Sequence, residues 1–257
     1  MVKPKAVAVN YLNTKPLLYG MVKSGFMEGI DMQLEIPSEC ARQLQNGEVD
    51  FGLVPAAIIP TLKSPYIISD YCIGTVGKVA TVSIYSQIPL EKVNRIFLDY
   101  HSRTSVQLTK ILIKNYWNKS IEFIDAYPGY ISKIEGTTAG LIIGDRTIEY
   151  GKNFKYEYDL GQAWMDYTGL PFSFANWVST KPLPKKFIEE FNAALKAGIA
   201  AIPDLLYIIP PPTNGFDLKH YYLENISYEF DTAKKQALRR FLKEMEVAIQ
   251  PSVEMSL

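Results

Sequence analysis

The chain has 257 residues, enough for one large α/β domain or two domains of roughly 100–150 residues each. Apolar residues make up 47% and charged residues 21%, which excludes a disordered chain. Lys plus Arg and Asp plus Glu balance at 27 each with no basic stripe, so nucleic acid and an anionic membrane are not expected partners.

A small anion stays open as a ligand, because a helix N-terminus and a single arginine hold one without net positive charge. Cys40 and Cys72, like His101 and His220, stand too far apart for metal-ligand spacing, and no disulfide framework is indicated. Met1-Val2-Lys3-Pro4-Lys5 runs straight into the first strand without a long apolar segment or a small-residue cleavage site, which points to a cytoplasmic protein. No stretch reaches about 18 apolar residues, so no membrane span is expected.

Ala6-Val7-Ala8-Val9 reads as a strand buried on both faces, and Pro16 opens a helix. Between them, Asn10-Tyr11-Leu12-Asn13-Thr14-Lys15 carries amides, hydroxyls and one cation. It lies where open α/β sheets bind ligands, at the carboxyl end of a strand facing a helix N-terminus. A cap at Asn13 or Thr14 is the plainer alternative. Met32–Ile36 alternates as a strand, Ser38 is the expected N-cap of a helix over Glu39–Gln45, and Val49–Val54 is the next strand, ending at Pro55-Ala56-Ala57 before another helix. Three such junctions in succession predict a mostly parallel sheet with helices on both faces.

Tyr66–Ser86 is long and β-rich, with Gly74 and Gly77-Lys78 marking a turn. A second series begins after Pro89. It runs through strand Arg95–Asp99, loop Tyr100–Arg103, a helix from Thr104 to about Trp117, strand Ile121–Ile124, a short helix over Tyr130–Glu135 and strand Ala139–Ile143. Tyr158–Ser179 is rich in aromatics and glycine and reads as core-forming or cleft-lining. Lys181–Pro184 is a hinge or turn. Helices are expected over Lys186–Leu206 and Thr232–Ile249, split by Pro210-Pro211-Pro212, with Asp231 capping the last. The rhythm is a sheet, a crossing and a return: lobe one 1–85 plus 177–257, lobe two 86–176, and a ligand cleft between them.

Ser102, Thr104 and Ser105 gather at a predicted helix N-terminus beside Arg103, which suits a carboxylate or phosphate; a capped helix with a polar loop accounts for the same residues. Thr81 and Ser83 offer hydroxyls from the first lobe. Gly144-Asp145 ends a strand, so its carboxylate either faces the cleft or caps the next helix, and a buried Asp145 with a raised pKa would serve as a general base. Asp99 has a similar position. Neither cysteine has a partner that would make it a nucleophile, and neither a dinucleotide loop nor a Walker A motif is present.

Taken in order, Asn10–Leu17, Gly52–Ala57, Ser102–Ser105, Leu141–Asp145, Asp159–Gly161, Thr168–Phe172 and Phe174–Trp177 resemble the chorismate dehydratase family of the futalosine route to menaquinone. Asn10 and Asn176 depart from the family's pattern. The resemblance implies an α/β, two-lobed, periplasmic-binding-protein-like type II fold with a ligand cleft between the lobes, working in the cytosol. It implies a hydro-lyase that takes water from chorismate to give 3-[(1-carboxyvinyl)oxy]benzoate. The Tyr-Leu-Asn-Thr loop favours this over the sister enzyme that forms 1,4-dihydroxy-6-naphthoate from cyclic dehypoxanthinyl futalosine; a non-catalytic small-carboxylate binding protein is the other alternative.

Chorismate is a dianion, so two anion pockets are implied. One is assigned to Ser102, Arg103, Thr104 and Ser105, and the other to Tyr11, Asn13 and Thr14 with Thr81 and Ser83, while Gly144 and Asn176 complete the binding set. Asn13 is expected to hold the substrate or the leaving hydroxyl. Asp145, His101 and the substrate's own enolpyruvyl carboxylate are the candidates for taking the proton. Aromatisation drives the elimination, so neither a metal nor an organic cofactor is expected.

Overall fold

The computed structural model describes residues 3–213 and 215–245, so Met1, Val2 and the predicted helical residues 246–249 lie outside the described residues. The chain opens with β1 (Lys5–Val9), α1 (Lys15–Lys23), β2 (Asp31–Glu35), α2 (Pro37–Gln45), β3 (Phe51–Pro55) and β4 (Tyr66–Thr75). It continues with β5 (Val82–Ser86), β6 (Arg95–Leu98), α3 (Thr104–Asn115), β7 (Glu122–Asp125), β8 (Thr138–Ile143), α4 (Arg146–Tyr150), β9 (Tyr156–Asp159) and α5 (Leu160–Thr168). The return comprises β10 (Phe172–Ser179), α6 (Lys185–Ala200), α7 (Ile202–Ile208), α8 (Leu218–His220), β11 (Ser227–Glu229) and α9 (Thr232–Glu244).

Two sheets result, one ordered β11-β4-β10-β3-β1-β2 and the other β7-β6-β8-β5-β9. The expected parallel pairing holds where strand and helix alternate, at β2-β1-β3 and at β7-β6-β8. It fails at the crossings, which corrects the mostly parallel expectation. β10 lies antiparallel to β3 and β4, and β5 antiparallel to β8 and β9. Parallel neighbours need a long crossover between them, and these strands arrive from the other sheet without one. Thr81 and Ser83 therefore belong with the second sheet and not the first.

The crossing segment is pinned by Asp159, whose carboxylate accepts from Val79 N (3.1 Å), Ala80 N (2.7 Å) and Gln162 N (3.0 Å). Ala80 sits there at φ 65°, a left-handed conformation that costs a residue with a Cβ about 1–2 kcal/mol.

Local chemistry accounts for the other departures. Pro37 occupies the first turn of α2, so Ser38 lies inside that helix and Ile36 precedes it. Pro60 confines the segment after β3 to a 3₁₀ turn, Ala56–Thr61. Pro203, in the first turn of α7, breaks the predicted single helix, and α6 and α7 meet at 62°. Asp231 caps α9 as expected, accepting from Lys234 N at 2.8 Å. Among the described residues no single helix is long and apolar enough to cross a membrane.

β1 lies between β3 and β2 in its sheet, and Ala6–Val9 are buried, as the apolar run predicts. Outside that sheet α1 and α6 cross closely through glycines. A Cβ on Gly20 would stand 2.1 Å from Ala194 O, and one on Gly198 would stand 2.0 Å from Pro16 O. Beneath them Phe51, Trp177 and Phe191 pack edge to face or tilted, each such pair adding about 0.5–1.5 kcal/mol beyond the buried area. This rigid base fixes the carboxyl end of β1, and with it the loop that follows.

Candidate functional site

Between the sheets lies a cleft of about 530 Å³ including its open mouth. Seven residues singled out in the sequence meet on its wall: Tyr11, Asn13, Thr81, Ser102, Thr104, Ser105 and Gly144. Val9, Ile73, Val79 and Phe174 supply apolar surface between them.

The loop after β1 is clamped from both sides. Tyr222 Oη donates to Leu12 O and Tyr228 Oη to Asn13 O, both at 2.9 Å, from the return segment of the chain. From the second sheet, the Asp145 carboxylate accepts from Leu12 N at 3.1 and 3.2 Å, and the Tyr11 hydroxyl lies 2.9 Å from His101 Nδ1. The Tyr11 ring also presses on Gly144, where a Cβ would come within 2.5 Å of Tyr11 Cζ. Gly144 adopts φ 67°, so glycine serves both the turn and the close approach.

On the opposite wall three hydroxyls gather at the start of α3, and the helix N-terminus gives the wall a partial positive charge. They do different jobs. Ser102 Oγ accepts from Ser105 N at 2.9 Å and closes the turn. Thr104 Oγ1 accepts from Ala57 N (3.1 Å) and donates to Phe174 O (2.9 Å), so it joins the two lobes. The Ser105 hydroxyl has no partner among the described residues and faces the cleft. Thr81 Oγ1, from the crossing, lies 3.1 Å from Tyr221 Oη.

The remaining expected residues do not line the cleft. Thr14 is fully buried and donates to Asn13 Oδ1 at 3.3 Å, holding the amide's orientation. Ser83 is turned towards β9 and donates to Glu157 Oε1 at 3.0 Å. Arg103 is exposed, in a separate outer groove with Gln107 and Lys110. Asn176 is fully buried in β10, opposite Val54 and Cys72; its Oδ1 accepts from Ser173 Oγ at 3.0 Å and its Nδ2 has no partner among the described residues. Asp145 and His101 stand behind the loop they hold. Asp99, fully buried, accepts from His101 N and Ile143 N (both 3.0 Å) and pairs with Arg146, which makes it an anchor for the loop before α3.

Burial pushes the Asp145 carboxyl above the usual carboxylate range, against the pull of the Leu12 N–H and Lys15. Burial and then the Arg146 charge hold the His101 imidazole below its usual value. Burial raises the Tyr11 hydroxyl, so it stays protonated. Among the described residues the cleft wall carries no carboxylate, imidazole or cationic side chain; its polar groups are hydroxyls, one amide and backbone. No group of three or more His, Cys, Asp or Glu stands together among the described residues to hold a metal ion.

Three buried tyrosines, Tyr221, Tyr222 and Tyr228, brace the site and were not foreseen. The only trace in the sequence is a Tyr-Tyr pair and a third tyrosine after the proline run, with no periodicity pointing them at the loop.

A family model described as menaquinone biosynthesis matches residues 6–246. The chain is 24% identical to a chorismate dehydratase of Thermus thermophilus, covering 94% of each, and 27% identical to one of Campylobacter jejuni, covering 91% of this chain and 94% of that one. In structure it is similar to a Candida albicans protein with the generic periplasmic binding protein fold, at TM-score 0.68 and 12% identity over 100% of this chain and 95% of that one. The two-lobed α/β fold implied by the sequence resemblance is thus the fold found.

Proposed function

The chain belongs to the menaquinone-biosynthesis family, and on that premise we propose that its cleft removes water from chorismate to give 3-[(1-carboxyvinyl)oxy]benzoate. The observation that carries the reading is the chemistry of the wall, in which neutral donors on both lobes surround one shared space. The enzyme is a hydro-lyase. A dianion binds through dipoles here. One carboxylate goes to the first turn of α3 with Ser102 and Ser105, and the other to the Asn13 loop with Thr81.

In the elimination the C3–H bond electrons form the new ring double bond, the C4 hydroxyl leaves, and the ring becomes aromatic. Asn13 donates to the departing oxygen from a backbone that Tyr222, Tyr228 and Asp145 hold still. Tyr11, kept protonated, is engaged with His101 Nδ1, and its ring walls the same end of the cleft.

The proton acceptor is the substrate's own enolpyruvyl carboxylate, folded over C3, which passes that proton to the departing hydroxide so that water and the dianionic ether leave. Two observations favour it over a protein base: both Asp145 oxygens are turned to Leu12 N, and His101 Nδ1 is turned to Tyr11. Neutral donors lower a carboxylate's basicity, but less than a full cation beside it would. Intramolecular transfer of this kind reaches effective molarities of about 10⁵–10⁸ M.

The partner is the small dianion alone, with neither nucleic acid nor membrane, and the place of work is the cytosol, where a biosynthetic enzyme meets its substrate. Incubation of the purified protein with chorismate, with mass spectrometry of the product, tests this. The aromatic ether supports it. Chorismate recovered intact, or conversion only of cyclic dehypoxanthinyl futalosine to a naphthoate, overturns it.

A further inference from the structure

The Asp145 carboxylate reaches across from the second sheet to the Leu12 N–H, one residue before Asn13, and makes no part of the cleft wall. We infer that Asp145 is a positioning residue, a clasp between the lobes that sets where the Asn13 amide stands against the substrate.

The geometry has three parts. The carboxylate takes the N–H on the amino side of Asn13, while Tyr222 and Tyr228 take the two carbonyls of Leu12 and Asn13. The two tyrosines thus hold the peptide units on either side of Asn13 from the first lobe, and Asp145 holds the unit before them, Tyr11–Leu12; among the described residues it is the one hydrogen bond that joins the second lobe directly to that backbone. Gly144, the preceding residue, lets the Tyr11 ring lie flush against the same turn, and His101 holds the ring's far end. Lys15, which opens α1, is a cation whose charge acts on the Asp145 carboxylate.

The inference deepens the dehydratase reading and rests on it for its kinetic arm. A general base and a clasp respond oppositely to conservative change. Asp145→Asn keeps an oxygen to accept the Leu12 N–H but cannot take a proton; Asp145→Ala keeps neither.

The experiment compares wild type, Asp145→Asn and Asp145→Ala in steady-state turnover of chorismate and in amide hydrogen exchange at residues 10–14 without substrate. The clasp predicts that Asp145→Asn loses no more than about fivefold in kcat, the difference between a charged and a neutral hydrogen bond. Asp145→Ala loses roughly 100-fold in kcat through misplacement of Asn13, with KM changed less. The Leu12 amide exchanges faster in Asp145→Ala and stays protected in Asp145→Asn. An Asp145→Asn variant as inactive as Asp145→Ala assigns the residue as a base and overturns the inference. So does unchanged Leu12 protection in Asp145→Ala. Exchange needs no substrate, so loss of protection in a protein that leaves chorismate untouched upholds the clasp while refuting the dehydratase reading.

Discussion

Thr104 Oγ1 donates to Phe174 O at 2.9 Å, a bond that ties the helix N-terminus of one lobe to the crossing strand of the other. The same oxygen accepts from Ala57 N at 3.1 Å, so this hydroxyl is fully engaged. Of the three hydroxyls in that turn, Thr104 serves the fold and Ser105 is left for a ligand.

Thr104→Val keeps the shape and leaves a buried N–H and a buried carbonyl unpaired. At about 1–3 kcal/mol for each orphaned group, the variant should lose about 2–6 kcal/mol of unfolding free energy. Urea denaturation checks this; an unchanged midpoint would show that water or a neighbour replaces both bonds.

Ser105→Ala should behave in the opposite way. Its hydroxyl has no protein partner among the described residues, so stability should change by less than about 0.5 kcal/mol, as at an uncommitted site. A hydrogen bond to a charged carboxylate contributes about 1.5–3 kcal/mol, so KM for chorismate should rise roughly tenfold or more. Initial rates across substrate concentration, beside a melting curve, measure both.

The sequence shows the strand-to-helix junctions plainly. The apolar run Ala6–Val9 announces a doubly covered strand, and Ser102, Thr104 and Ser105 announce a helix start; both end on the cleft. What it hides is direction. Ser83 and Asn176 have the right chemistry on the right strands, but pairing with β9 turns the first away and mid-sheet burial encloses the second. Arg103 sits between two wall residues, Ser102 and Thr104, and still projects outward. The helix Leu160–Thr168 was missed because its aromatic and glycine content masks the helical period. Its capping pattern, Asp159 followed three residues on by Gln162, was nonetheless present in the sequence. Tyr222 and Tyr228 meet the Asn13 loop from more than 200 positions away, and no local pattern encodes such a contact.

His101 makes the fold sensitive to mild acid. Its imidazole titrates below the usual value because it is buried beside Arg146, so the unfolded chain binds that proton more readily than the folded one. The contribution is therefore present above about pH 6.5 and is lost as the pH falls through the lower folded value. Unfolding free energy should decline between pH 7 and 5 more steeply for wild type than for His101→Gln. Equal slopes would mean that this proton is not linked to folding.

The most direct test of a dehydration carried out at this cleft is the turnover of chorismate by Asn13→Ala measured side by side with wild type. The wild-type protein should release an acid lighter by one water, and the variant should do so at least about tenfold more slowly, the cost of losing one donor to the departing oxygen, with its melting temperature unchanged. Equal rates in the two proteins, or no product from either, would contradict it.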